Sequence, residues 1–289
     1  MLDKNKAVIE SAAQLARETN AHAVILAASL PHERQLLIDA LGDDVRVLSG
    51  AAGSNAGEDR EVLALPEVKL RRRGRAKIAL LEAIATGNLE PGQRVVVISG
   101  NEGRRGCELD TIAVVELDDE EDFLDGQADA PLTVLRNVAD PAAFDAVLNL
   151  CVELGREGKE GKKVGLIITL GDHEAVLDRS QALVLNPFEG HPEEQRTVLS
   201  AAARRALVEF SGMDGAFVLR SDGVIVAAGR YLEEMAAEGS VPSGLGARHR
   251  AAAGITAATR SISFAVSESS GDTRVFGGGR LIMTIEKND

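Results

Sequence analysis

The sequence predicts an α/β protein of two domains, and three observations carry that prediction. Apolar runs of strand length, such as Ala23–Ala28 (AVILAA) and Val164–Leu170 (VGLIITL), alternate with stretches whose apolar residues recur at helical spacing. The chain has 289 residues, enough for two separate cores. Between the halves lies Asp118–Asp129 (DDEEDFLDGQAD), seven carboxylates with little apolar area to bury, which self-repulsion keeps solvated. The boundary is placed there, giving domains 1–127 and 128–289.

In the first domain, Val8, Ala12, Leu15 and Ala16 make one apolar face of a helix over Asp3–Thr19, followed by the AVILAA strand. Pro31 suits the first turn of a helix that Gly42 stops after Leu41. Val45–Leu48 reads as a short strand, and Arg72–Ala85 as a helix with Ile78, Leu81 and Ile84 inward. Pro91-Gly92 turns the chain into the strand Arg94–Ser99, and a glycine-bearing loop, Gly100–Gly106, leads to a strand at Thr111–Leu117. Strands separated by helices imply a parallel or mixed sheet with helices on its faces.

The second domain opens with a helix from the N-cap Asp140 to about Gly155, with Phe144, Val147, Leu148, Cys151 and Leu154 on one face. After the VGLIITL strand, Gln195–Phe210 reads as an amphipathic helix closed by Gly212. Ser221-Asp222-Gly223 marks a hairpin between strands Ala216–Leu219 and Val224–Ala228. A short helix over 248–258, an alternating strand Ser261–Ser267 and a last strand Leu281–Ile285 complete a mixed sheet surrounded by helices.

With 32 Lys and Arg against 45 Asp and Glu, the net charge is −13, which argues against a general nucleic-acid or anionic-membrane binder. Met1–Asn20 is interrupted by charges and no apolar run is long enough to span a bilayer, so a cytoplasmic protein is expected. Aromatics make up 3%, so the cores must be aliphatic. Cys107 and Cys151 are too few for a disulfide framework, and His22, His32, His173 and His191 have no zinc-ligand spacing. Gly155, Gly158 and Gly161 before Lys162-Lys163 imitate a phosphate loop, but no Ser or Thr follows the lysines. Lys69–Arg75 (KLRRRGR) lacks aromatic platforms for RNA and reads as a solvated helix start.

Chemistry concentrates between Asp214 and Glu268. Asp214-Gly215-Ala216 stands at a helix–strand junction, where small residues either let a ligand approach the backbone or serve a turn. Gly244-Leu245-Gly246-Ala247 delivers the chain into a helix whose first turn holds Arg248, His249 and Arg250. Cations there oppose the helix dipole, a cost that a bound anion offsets, and arginine forks match phosphate oxygens. Ser267-Glu268 ends a strand; with Asp214 it offers the hard oxygen donors that Mg²⁺ or Mn²⁺ uses beside phosphates.

Taken together, Asp214-Gly215-Ala216, Gly246-Ala247-Arg248-His249-Arg250 and Val266-Ser267-Glu268 resemble the diadenylate cyclase (DAC) family. Lys163–Asp172 (KVGLIITLGD) and Leu185–Gly190 (LNPFEG) extend the resemblance over about 132–289. It implies condensation of two ATP into cyclic di-AMP and two pyrophosphates, with Mn²⁺ or Mg²⁺, in a homo-oligomer whose cyclase domains face each other. It also implies Asp214 and Glu268 as metal ligands, with Asp214 aiding deprotonation of the attacking hydroxyl. Arg248, His249, Arg250 and Ser267 would hold phosphates, and Gly215 and Leu232 would line the nucleoside pocket. The adjoining Ala216, Gly246, Ala247 and Ala251 complete the nucleotide-binding set. Ala247 stands where the family has Thr, which removes a hydroxyl contact to phosphate. The alternative is a catalytically silent nucleotide-binding sensor; Asp214 and Glu268 speak against it, and Ala247 leaves it open. The first domain resembles the C-terminal domain of pyruvate kinase in Pro91–Asn101 (PGQRVVVISGN) and Thr111–Val114, which implies assembly or effector sensing.

Overall fold

The computed structural model describes residues 2–52, 59, 61–65, 71–90, 92–103, 106–117, 138–236 and 244–287. The chain divides into two compact units, Met1–Phe123 and Leu124–Lys287. The acidic run 118–129 lies outside the described residues. Among the described residues, no helix is long and apolar enough to cross a membrane.

The first unit contains α1 (Leu2–Glu18), β1 (Ala23–Leu26), α2 (Pro31–Leu41), β2 (Arg46–Ala52), β3 (Val62–Leu65), α3 (Arg72–Ala85), β4 (Arg94–Gly103) and β5 (Gly106–Glu116). Its sheet runs β3-β2-β1-β4-β5, parallel except for the antiparallel β4–β5 pair. Ile9, Ala12 and Ala16 of α1 pack with Leu37 of α2 over Val24, Leu26 and Val96 of the strands. One strand was not anticipated here, and one expectation needs correction. β3 carries too short a signal to stand out, and the glycine loop expected at Gly100–Gly106 is instead largely strand. Gly100 pairs with Leu109 where the register shifts, and a Cβ at Gly100 would lie 1.9 Å from the Glu108 carbonyl oxygen. The glycine therefore serves a close strand crossing.

The second unit contains α4 (Pro141–Glu157), β6 (Leu166–Leu170), α5 (His173–Asp178), β7 (Ser180–Ala182), α6 (Ala201–Phe210), β8 (Ala216–Leu219) and β9 (Ile225–Leu232). It continues through α7 (Ala247–Ala258), β10 (Ile262–Val266), β11 (Thr273–Gly277) and β12 (Arg280–Ile285). The sheet order is β12-β11-β10-β6-β8-β9-β7, and only β6–β8 is parallel. Asp140 caps α4 as expected, accepting from the amides of Ala142 and Ala143. The helix expected from Gln195 begins only at Ala201, because the Ser200 hydroxyl accepts from the Ala203 amide and fixes the start there. β10 is buried along its whole length instead of alternating. It lies at the middle of the sheet, with Phe264 against Phe144 of α4 and Ala265 in the cluster shared with Ala252 and Ile255 of α7.

One buried carboxyl in this unit makes stability pH-dependent. Burial pushes Asp145 up to about 6, only partly opposed by its hydrogen bond from Asn149 (2.7 Å) and by the Arg204 charge. A carboxyl raised in the folded state contributes full stability below its unfolded pKa and loses it as pH rises from about 4 to 6. Asp145→Asn keeps the acceptor for Asn149 and removes the ionisation cost. Urea unfolding should show it more stable than wild type by about 1–3 kcal/mol at pH 7.5 and equal at pH 4. An equal midpoint at pH 7.5 would mean that the folded state does not penalise the Asp145 charge.

Candidate active site

Three strands of the second sheet bring the candidate residues to one end of it. Val266 of β10 pairs with Leu166 of β6, and Phe217 of β8 pairs with Ile168. The strand directions place Ser267 after β10, Gly165 before β6 and Asp214 before β8, all at the same end of the sheet. The acidic residue before β8 and the Ser-Glu pair after β10, distant in sequence, thus leave the sheet on the same side.

Helix α7 contributes the basic triplet. Its N-cap, Gly246, provides no side-chain hydrogen bond, and its first turn contains no acid. Arg248 and Arg250 are exposed and His249 is buried between them. The Arg248 Nη1 donates to Glu268 Oε2 at 2.8 Å. Gly165 makes room for that pair: a Cβ there would come within 2.4 Å of Arg248 Nη1 and 3.1 Å of Glu268 Cβ. Arg250 has no side-chain hydrogen bond or ion pair with any described residue.

His249 departs from the expected cationic triplet. It is 7% exposed, with its ring 6.3 Å from that of Phe276. Burial first, then the charges of Arg274 and Arg248, hold its imidazole down to about 4, against a smaller opposing effect of Asp272. The imidazole is therefore neutral at pH 7, and the first turn presents two cations around an uncharged ring.

Ser267 is buried, and its hydroxyl lies 3.1 Å from that of Ser269 and accepts from the Ser270 amide. The turn Ser267–Asp272 is closed by Ser267 N donating to Asp272 O (2.9 Å) and Gly271 N donating to Ser267 O (2.8 Å). Lys163 donates to the Ser269 carbonyl from outside the turn. Asp214 is exposed between α6 and β8, and its carboxylate has no partner among the described residues.

The remaining candidates sit less openly. Gly215 has φ +99°, and a Cβ would lie 2.6 Å from the Arg230 amide nitrogen, so the adjacent strand already demands its missing side chain. Ala216 and Leu232 bury their side chains in the cluster they share with Ala252 and Ile255, and Ala251 packs on its margin. Gly246 and Ala247 are exposed at the start of α7. Sequence reasoning missed Gly165, Asp272 and Arg274. A lone glycine in a strand run and charges near a chain's last strands carry no local signal, and their roles exist only through tertiary contacts.

Among the described residues, no three His, Cys, Asp or Glu side chains gather into a metal cage. Asp214 and Glu268 are two exposed carboxylates at the same end of the sheet, and Glu268 is paired with Arg248 of the α7 first turn. Mg²⁺ and Mn²⁺ are commonly held by one or two carboxylates with substrate phosphates supplying further oxygens, and these residues fit that use.

Residues 153–281 match the family described as DisA bacterial checkpoint controller nucleotide-binding, abbreviated DAC. Residues 4–124 match a separate family, described as "Probable sensor domain DacZ_P". A diadenylate cyclase of Methanocaldococcus jannaschii is 34% identical over 221 residues, covering 74% of this chain and 68% of that protein. A diadenylate cyclase of Haloferax volcanii is 34% identical over 235 residues, covering 81% of this chain and 83% of that protein. Among solved structures, DacA from Staphylococcus aureus aligns with a TM-score of 0.36 and 20% identity, over 48% of this chain and 83% of that one.

Proposed function

The chain belongs to the diadenylate cyclase family, and from that membership we propose that it condenses two ATP into cyclic di-AMP and two pyrophosphates. The observation that supports this most is the Arg248–Glu268 pair over Gly165, at the sheet end from which Asp214 also emerges. Cation and carboxylate there suit a nucleoside triphosphate, whose phosphates need both positive charge and a metal partner.

Each cyclase domain holds one ATP, and two protomers face each other. The 3′-hydroxyl of each nucleotide attacks the α-phosphate of the other; the new P–O bond forms as the bond to pyrophosphate breaks, and the hydroxyl proton leaves with the assistance of Asp214. Arg248 and Arg250 offset the phosphate charge, neutral His249 and the Ser267 hydroxyl orient oxygens, and the exposed amides of Ala247 and Arg248 add donors. Gly246, Gly215, Ala216, Leu232 and Ala251 bound the nucleoside side, mainly through backbone. Asp214 and Glu268 would hold Mn²⁺ or Mg²⁺, which when bound neutralises phosphate charge. The Arg248–Glu268 pair is 43% and 60% exposed, so it contributes only about 0–1 kcal/mol and separates at little cost when phosphate takes the arginine. Assembly in a homo-oligomer is part of the chemistry, because one protomer holds half of each product. The domain 1–127 serves assembly or effector sensing, and the protein acts in the cytoplasm.

Purified protein incubated with ATP and Mn²⁺ should yield cyclic di-AMP by mass spectrometry, with a specific rate that falls on dilution below the assembly threshold. ATP binding by calorimetry with no product at any protein concentration would overturn the proposal in favour of a silent sensor.

A further inference from the structure

Asp272 and Arg274 lie between the turn that carries Ser267 and Glu268 and the helix that carries His249. Both are mostly buried, at 17% and 15% side-chain exposure, and the Arg274 Nη2 donates to Asp272 Oδ2 at 3.1 Å. Asp272 holds the turn at three points. Its carbonyl accepts from Ser267 N, its Oδ2 accepts from the Ser270 hydroxyl (2.6 Å), and its Oδ1 accepts from Lys287 N (3.1 Å). Arg274 reaches the other way, its Nη1 lying 3.3 Å from His249 Nε2.

That contact has only one chemical reading. A guanidinium has donors and no acceptor, and it stays protonated, so Nε2 must accept and cannot carry a proton. A neutral imidazole whose Nε2 is bare keeps its hydrogen on Nδ1. From these contacts we infer that Asp272 and Arg274 are positioning residues, which tie the Ser267–Glu268 turn to α7 and fix His249 as the Nδ1–H tautomer. The inference rests on the cyclase reading for its consequence, because a fixed donor at Nδ1 is what a phosphate oxygen would use. Its structural content is independent of turnover. Outer partners of metal-ligating histidines set ring orientation and tautomer at a cost of about 10–100-fold when removed, and an effect of that order is the expectation for His249.

The test uses full-length protein with ¹⁵N-labelled histidine, the His249 signals being identified by their loss in His249→Gln. Between pH 6 and 8 the wild type should show a protonated Nδ1 and a bare Nε2. Arg274→Met leaves Asp272 buried and unpaired, so the double variant Asp272→Asn with Arg274→Met is the primary comparison, with thermal melting as the fold control. In it, His249 should show averaged nitrogen shifts from two tautomers, and ATP affinity by calorimetry should drop about tenfold or more. Arg274→Lys, which restores a donor, should recover part of both. An Nε2–H tautomer in the wild type, or a double variant with unchanged tautomer and unchanged ATP affinity, would overturn the assignment. Absence of cyclic di-AMP from wild-type protein would sink the cyclase reading alone, because the tautomer is read without substrate.

Discussion

Asp214→Asn is expected to lower cyclic di-AMP formation by about 10²–10⁴-fold, the range that a positioned proton acceptor supplies, and loss of a metal ligand deepens the effect. The expectation comes from the carboxylate's surroundings. Asp214 is exposed and makes no hydrogen bond or ion pair with any described residue. The fold therefore gains nothing visible from its charge, and the substitution should leave the melting temperature within about 1–2 °C of wild type, as for an ordinary surface change. Asn keeps the size and one acceptor oxygen but loses the negative charge that holds a cation and accepts a proton. The measurement is cyclic di-AMP by mass spectrometry over a series of Mn²⁺ concentrations, with circular dichroism as the control. Activity that recovers at high Mn²⁺ would assign Asp214 to metal binding alone. Full activity at every Mn²⁺ concentration would remove the residue from the mechanism.

The contrast between exposed Asp214 and buried His249 indicates how much of the site was legible beforehand. Residue types that bind phosphate and metal are readable because they are costly elsewhere: two arginines in the first turn of a helix oppose its dipole, and the run of small residues before them makes little sense as core. Burial of the middle residue is not readable from the triplet. His249 is held firmly neutral because burial beside Phe276, and then the charges of Arg274 and Arg248, disfavour its protonation. The fold shows the same division. The helix behind the explicit cap Asp140 was placed closely by pattern alone, and so was Arg72–Ala85, although it has no side-chain cap and is buried from Gly74 through Ile84. Val62–Leu65, Ser180–Ala182 and Thr273–Gly277 were not, because their pairing partners supply what the local sequence lacks. Glycines mislead in the same way. Gly100 and Gly215 look like sites of flexibility or ligand access, and each instead lies where another backbone would occupy its Cβ position.

Gly155→Ala puts that last point to work on both stability and catalysis. Gly155 lies in α4, where alanine ordinarily gains about 0.8–1.0 kcal/mol over glycine. Against that, the new Cβ would stand 2.2 Å from the Gly271 carbonyl oxygen, and a Cβ on Gly271 would meet the Gly155 oxygen at 2.3 Å. Neither obstacle is the loose end of a side chain, so a backbone must move, and overpacking of this kind costs about 1–3 kcal/mol. The segment free to move is the Ser267–Asp272 turn, but Thr273 Oγ1 donating to the Cys151 carbonyl at 3.1 Å anchors its far end to the same helix. Displacement therefore tilts the turn instead of sliding it, and carries Ser267 and Glu268 away from Arg248. The expected result is a net loss of up to about 2 kcal/mol in urea unfolding, the clash offsetting and then exceeding the helical gain. A fall in kcat/KM of about tenfold accompanies it, since small misplacements of positioning groups are expensive in rate. Gly212→Ala is the matched control: nothing lies within 4 Å of its Cβ position, so stability should change by under about 0.5 kcal/mol and activity not at all. A Gly155→Ala protein as stable as wild type, with unaltered kcat/KM, would show that the glycine contact does not hold the turn in place and that α4 is only a neighbour of the site.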